Sequence, residues 1–104
     1  MAEEFQPYYA VIFTSVLREE HEGYYEMAIE MEMLAKNQPG FIGLDSVREQ
    51  KGITISYWSS LEAIKNWKQQ ARHQVAQKMG IEKWYKFYDI KICKVEREYS
   101  FNSP

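Results

Sequence analysis

The sequence predicts an α+β fold, one antiparallel sheet with two helices on one face, and three observations lead there. Strand-like and helix-like segments follow one another in the order β-α-β-β-α-β. Lys51-Gly52 makes a tight turn between the third and fourth segments, which marks a hairpin. At 104 residues the chain supports one modest core and no second one. This is the ferredoxin-like arrangement, expected as a single domain over residues 1–104 with its core at about 8–101.

Tyr8 to Leu17, YYAVIFTSVL, is aromatic and β-branched and reads as the first strand. Both of its faces are apolar, with Tyr9, Val11 and Phe13 on one and Ala10, Ile12 and Val16 on the other. The acidic REEHEG then leads into a helix from about Glu22 to Lys36. At about 100° per residue, Tyr24, Met27, Ala28, Met31, Leu34 and Ala35 share one side of it. Asn37 and Pro39-Gly40 stop the helix. Phe41 to Gln50 and Ile53 to Trp58 are the hairpin strands. Ser59 and Glu62 form an S-x-x-E capping box that opens the second helix, whose stripe is Leu61, Ile64, Trp67, Ala71 and Val75. Met79-Gly80 ends it, IEKWYKFY connects, and Tyr88 to Phe101 is a long last strand.

Two helices cover one face of a four-stranded sheet, yet the first strand is apolar on both. The uncovered face calls for a partner, and a two-fold homodimer packing sheet on sheet is the simplest one.

Composition narrows the function. Eight Tyr, five Phe and three Trp bring aromatic content to 15%, which suits a core of flat side chains or a cavity lined by them. Net charge is −2 with cations dispersed among acids, against a nucleic-acid partner. No apolar run approaches a membrane span, and MAEEFQP lacks the apolar region of a secretory signal. The lone Cys93 makes no internal disulfide and reads as a small buried hydrophobe, which fits a reducing cytoplasm. No metal-ligand spacing and no glycine-rich phosphate loop is present, so no metal or nucleotide cofactor is expected.

The stretch NWKQQARHQVAQ, Asn66 to Gln77, carries the chemistry in question. Trp67 lies in the apolar stripe, as a core residue or as the wall of a cavity under the helix. On an unbroken helix His73 is roughly 120° away from Trp67 and faces water. Only a break near Gln70 to Arg72 aims both at one ligand.

Several stretches resemble the antibiotic biosynthesis monooxygenase (ABM) domains of the dimeric α/β-barrel superfamily. These are Trp58 ending its strand, the helix with Trp67, His73-Gln74-Val75-Ala76-Gln77, Trp84-Tyr85, and the ending Glu96-Arg97-x-Tyr99-x-Phe101. The resemblance implies a dimeric α/β-barrel. It also implies kinship with small oxygenases of aromatic polyketide pathways and with haem-degrading monooxygenases. The haem-degrading branch uses a first-strand Asn, a second-helix Trp and a ligating His ten residues further on. Here Trp67 matches, but Gln77 occupies the histidine position and VIFTSVL contains no Asn, so haem is not favoured as a cofactor.

The leading expectation is cofactor-independent oxygenation of a small phenol or quinol. The substrate anion supplies the electrons, and the protein takes a proton, holds the ring and excludes water. His73 is the candidate base, and Trp67, Trp58, Phe13 and Trp84 are the candidate pocket walls. Haem binding or degradation, and a non-catalytic dimer that binds a small molecule, stand beside it.

Overall fold

A computed structural model describes residues 4–104 of the chain. Strand β1 (Tyr8–Leu17) leads to helix α1 (Tyr24–Lys36), then strands β2 (Phe41–Arg48) and β3 (Gly52–Trp58). Helices α2 (Leu61–Gln69) and α3 (Ala71–Met79) follow, then a single π-helical turn (Gly80–Trp84) and strand β4 (Tyr85–Val95). The sheet is antiparallel throughout, in the order β2-β3-β1-β4. The fold is ferredoxin-like, with the expected second helix split in two.

Cross-strand partners share a face of a sheet, so the pairing register sorts the side chains. Tyr9 pairs with Trp58, Val11 with Ser56 and Phe13 with Thr54, and Phe41 also pairs with Trp58. The core forms on this face. Trp58 is fully buried and packs with Ala35 of α1 and Ala63 and Ile64 of α2, and Tyr9, Val11, Phe41 and Trp67 close around them. The opposite face carries Ala10, Ile12, Ile53, Ile55 and Val47, and no helix covers it. Val47 is 70% exposed there.

Helix α1 follows its predicted stripe: Tyr24, Met27, Ala28, Met31, Leu34 and Ala35 are all at least partly buried. It begins at Tyr24 rather than Glu22 because Gly23 takes φ +86°, a turn that suits a residue without a Cβ.

Four other expectations are corrected. Ser60, not Ser59, caps α2: its Oγ accepts from the Ala63 N–H at 3.0 Å. Ser59 is still engaged at the strand end, where its own N–H donates to the Gly40 carbonyl at 2.8 Å. Of the predicted second stripe, Leu61 is exposed as the first residue of α2, and Ala71 and Val75 are exposed because the helix is interrupted at Gln70 and the stripe does not continue in phase. The last strand starts earlier and stops earlier than predicted, at Tyr85 and Val95, so residues 96–104 pair with no strand of the chain. Cys93 is exposed, since its strand lies at the sheet edge and its face is uncovered.

Candidate functional site

The site is built on the break between α2 and α3. Gln70 adopts φ −60° and ψ 131°, an extended conformation between two helical residues. It closes α2 through its N–H, which donates to the Trp67 carbonyl at 3.1 Å. It also opens α3 through its side chain, whose Oε1 accepts from the His73 N–H at 2.9 Å. One glutamine therefore serves as both caps, satisfying backbone groups that a helix end leaves without partners. Outside the break, Arg72 ties α3 to α1 by a two-pronged pair with Glu30, at 2.8 and 2.9 Å.

The break re-aims α3. The partly buried residues after it are His73, Ala76, Gln77 and Met79, the first three at helical spacing, with Gly80 buried one turn on. His73 thus lies flat on Trp67, ring centroids 4.1 Å apart and planes 13° apart. Trp67 in turn stacks on buried Trp58 at 6.0 Å. The six-residue spacing that an unbroken helix would splay is brought face to face.

The electrostatics of His73 follow from this packing. Burial pushes its imidazole below the usual histidine pKa, and the hydrogen bond to the Trp67 carbonyl opposes this without reversing it. His73 is accordingly neutral at pH 7. Its Nδ1 lies 2.9 Å from the Trp67 carbonyl oxygen. A carbonyl only accepts, so Nδ1 carries the proton and Nε2 carries the lone pair. The Gln77 amide sits 3.4 Å from Nδ1 and donates to the Lys68 carbonyl at 3.0 Å, bridging the break a second time. Nε2 has no partner among the described residues.

Trp58, Trp67 and His73 therefore form one stack. Phe13 and Trp84 do not join it. Phe13 lies four residues further along β1 than Tyr9, roughly 13 Å at ~3.4 Å per residue. There it packs on Tyr88 at 5.5 Å and meets Tyr85 edge-on at 5.4 Å. Trp84, 4% exposed, donates its Nε1–H to the Glu22 carbonyl at 2.9 Å and packs edge-on against Tyr24. Tyr24 also meets Tyr85, so these rings make a second cluster at the other end of the sheet. Burial pushes the Tyr85 phenol well above the usual tyrosine range, with Tyr24 adding to the effect and Arg48 opposing it.

Sequence reasoning named Gln70 only as one end of the region where the helix could break and Gln77 only as the occupant of the histidine position, and it missed Arg48. The capping role of Gln70 and the bridging role of Gln77 gave no signal, because they exist only once the helix is broken. Arg48 gave one: it falls in phase with Leu44 on β2, on the face the helices cover. A cleft of about 460 Å³ opens on the outer side of the helix layer, between Ile29, Glu30, Leu34, Gln70 and Arg72. It is shallow and open, and neither Trp58, Trp67 nor His73 lines it, so its size does not make it the chemical centre.

A ferredoxin-like antiparallel sheet covered on one face by helices places the chain among the small α+β proteins. The antibiotic biosynthesis monooxygenase family model matches residues 7–79, and the chain belongs to that family. Among curated proteins it is similar to the uncharacterized protein YqjZ of Bacillus subtilis (strain 168). The two are 48% identical over 97 residues, covering 91% of this chain and 85% of that one. Among solved structures it is similar to SnoaB of Streptomyces nogalater, described as a cofactor-independent oxygenase. That match has 10% identity and a TM-score of 0.75, and covers 90% of this chain and 97% of that one. A putative antibiotic biosynthesis monooxygenase from Nitrosomonas europaea matches at 11% identity and a TM-score of 0.71, covering 89% and 93%. At such identities the two structures share the fold.

Proposed function

We propose that the chain is a cofactor-independent monooxygenase acting on a small phenol or quinol, with His73 as general base. The observation that carries this reading is the state of His73: neutral, with Nδ1–H pinned to the Trp67 carbonyl and Nε2 unpartnered. A base needs a free lone pair held in a fixed direction, and the stack on Trp67 supplies the direction. Nε2 takes the phenolic proton. The phenolate then reduces dioxygen and forms a C–O bond at a ring carbon bearing hydrogen, and the peroxide loses water. One phenol and one dioxygen give one quinone and one water, with the substrate supplying the electrons. Trp67 shields the face of the imidazole and offers an aromatic edge to the substrate ring. The neighbouring SnoaB, described as a cofactor-independent oxygenase, supports the same class.

Haem suits these residues less well. Gln77 stands where the haem-degrading pattern has its ligating histidine, and its amide is occupied with the Lys68 carbonyl.

The reading includes a homodimer, placed in the cytoplasm. The helix-free face, with Ile12, Ile53, Ile55 and Val47, needs a cover. Residues 96–104, beyond β4, carry Tyr99 and Phe101 at 87% and 85% exposure. A second copy accepts both. Light scattering should give twice the chain mass at micromolar concentration, and a stable monomer would end this part of the reading.

The central test is oxygen uptake with reduced naphthoquinols and anthrones. The wild type should consume one dioxygen per quinone formed. His73→Ala should lower the rate by about 10²–10⁴-fold, the usual worth of a positioned base. Undiminished uptake by His73→Ala, or a Soret band with a saturable 1:1 haem titration, would count against it. A protein that binds quinols without consuming oxygen would be the non-catalytic member of the pair.

A further inference from the structure

Arg48, the last residue of β2, pairs with Gly52 and lies on the helix-facing side of the sheet. A Cβ on Gly52 would collide with the Cζ, Nε and Nη2 atoms of Arg48. The buried glycine is thus a seat on which the guanidinium lies flat. From above, Tyr24 of α1 covers it, with Cζ 5.4 Å from the ring centroid. At its end, Nη2 donates to the Oγ of Ser15, which is fully buried.

This cation has no acid. The ion pairs among the described residues are Lys36–Glu32, Arg72–Glu30 and Lys91–Asp89, and none involves Arg48. A guanidinium has five N–H donors, and Ser15 takes one; the others have no acceptor among the described residues. A cation–π strut between α1 and the sheet accounts for Tyr24. It leaves the other N–H groups of the fork facing solvent, since no Arg48 nitrogen is among the buried polar atoms without a partner in the described residues. Arg48 also borders an open cleft of about 390 Å³ at the hairpin, with Val47, Glu49, Gln50 and Lys51. Beside the guanidinium, on the helix-facing side, Tyr24 meets Tyr85 and Tyr85 meets Phe13, the rings of the second aromatic cluster.

The geometry points to a binding site for a small aromatic carboxylate at Arg48, with the carboxylate on the guanidinium fork and the ring against Tyr24 and its neighbours. Planar carboxylates meet guanidinium by two parallel hydrogen bonds, so the fork selects this group over a point anion. Gly52 and Trp58 lie at opposite ends of β3, roughly 20 Å apart at ~3.4 Å per residue. The site is therefore separate from the His73 stack and does not depend on the oxygenase reading.

The test is a titration of isotope-labelled protein with benzoate and with benzamide, its neutral isostere, followed by NMR. Benzoate should shift the Arg48 Nε–H and the Ser15 amide saturably and leave the Trp67 indole N–H unmoved. It should bind at least tenfold more tightly than benzamide. Arg48→Met, confirmed folded by circular dichroism, should weaken benzoate at least tenfold and leave benzamide as it was. Arg48→Lys, which keeps the charge without the fork, should lose part of that affinity. Equal binding of benzoate and benzamide overturns the inference, as does benzoate binding that survives Arg48→Met. Shifts scattered over surface lysines without saturation overturn it too. The benzoate–benzamide comparison on the wild type decides the matter even where Arg48→Met does not fold.

Discussion

Helix α1 and the pair α2–α3 cover the same face of the same sheet, yet only α1 keeps its stripe. Its apolar positions recur at helical spacing from Tyr24 to Ala35, and that side is the one that is buried. Across the Gln70 break the phase is lost. Ala71 and Val75 are exposed, and His73 and Gln77, both polar, are turned in. Burying an imidazole and an amide in place of a methyl and an isopropyl group opposes the hydrophobic effect unless both find partners. They do so on the backbone exposed by the break itself, the carbonyls of Trp67 and Lys68. A regular helix has no such carbonyls to spare. The difference teaches that the covering helix was interrupted to hold polar groups in an apolar layer, an arrangement characteristic of sites rather than of cores.

That contrast can be broken by mutation, and the largest effect is expected where the two covers meet. Trp58→Ala removes the buried floor beneath Trp67 and should cost about 3–5 kcal/mol, read as a lowered denaturant midpoint at unchanged slope. A loss below about 1 kcal/mol would mean that the stack collapses to fill the space and does not anchor the break.

Gln70→Ala comes next. It strips the cap from α3 while leaving α2 its start, and should cost about 1 kcal/mol, a typical worth for an N-cap. The Trp67 fluorescence should change with it, because the ring stacked on Trp67 is released. If the spectrum stays as it was, the break is held by something other than Gln70.

Ser60→Ala should also cost about 1 kcal/mol, with Ser59→Ala close to neutral in stability, since only Ser60 accepts from the helix N–H. The reverse ranking would restore the S-x-x-E box as the cap.

The outer brace is worth less. Arg72 and Glu30 are 47% and 45% exposed, so breaking their pair by Arg72→Ala should barely move the denaturant midpoint at physiological salt. A double-mutant cycle with Glu30→Ala measures it.

The smallest effect is one of pH. The imidazole of His73 has a lower pKa in the folded protein than the ordinary value of 6.5. The unfolded chain therefore binds more protons just below that pH. Stability should be full above about pH 6.5 and decline as pH falls from there through the folded value. His73→Gln should flatten this slope in the mildly acidic range and leave the pH dependence around pH 8 as it was. A slope identical to the wild type would show that His73 does not carry the charge change.

Much of the fold is present in the one-dimensional pattern. The alternation of strand and helix periods, the Lys51-Gly52 turn and the doubly apolar first strand led to the sheet, its helices and its bare face. These are local signals, set by backbone period and by which residues avoid water. The order β2-β3-β1-β4 follows from them with little freedom left. Trp67 and His73 could be named from sequence, with a break near Gln70 to Arg72 as the condition for their meeting, but whether the helix breaks could not. It depends on one residue, Gln70, leaving helical ψ, and nothing in QQAR distinguishes that glutamine from its neighbour. What decides it is tertiary: the stack on buried Trp58 and the carbonyls freed at the break together stabilise a conformation that isolated helix propensity disfavours. The separation of Phe13 and Trp84 from that stack has the same origin. Sequence shows which side chains share a face, whereas distance along the strand and the docking of α1 on the sheet determine which of them touch. Arg48 is the clearest case. Its position in phase with Leu44 was legible, but its role required Gly52 beneath, Tyr24 above and no ion pair with an acid among the described residues, three conditions that only packing in three dimensions can impose.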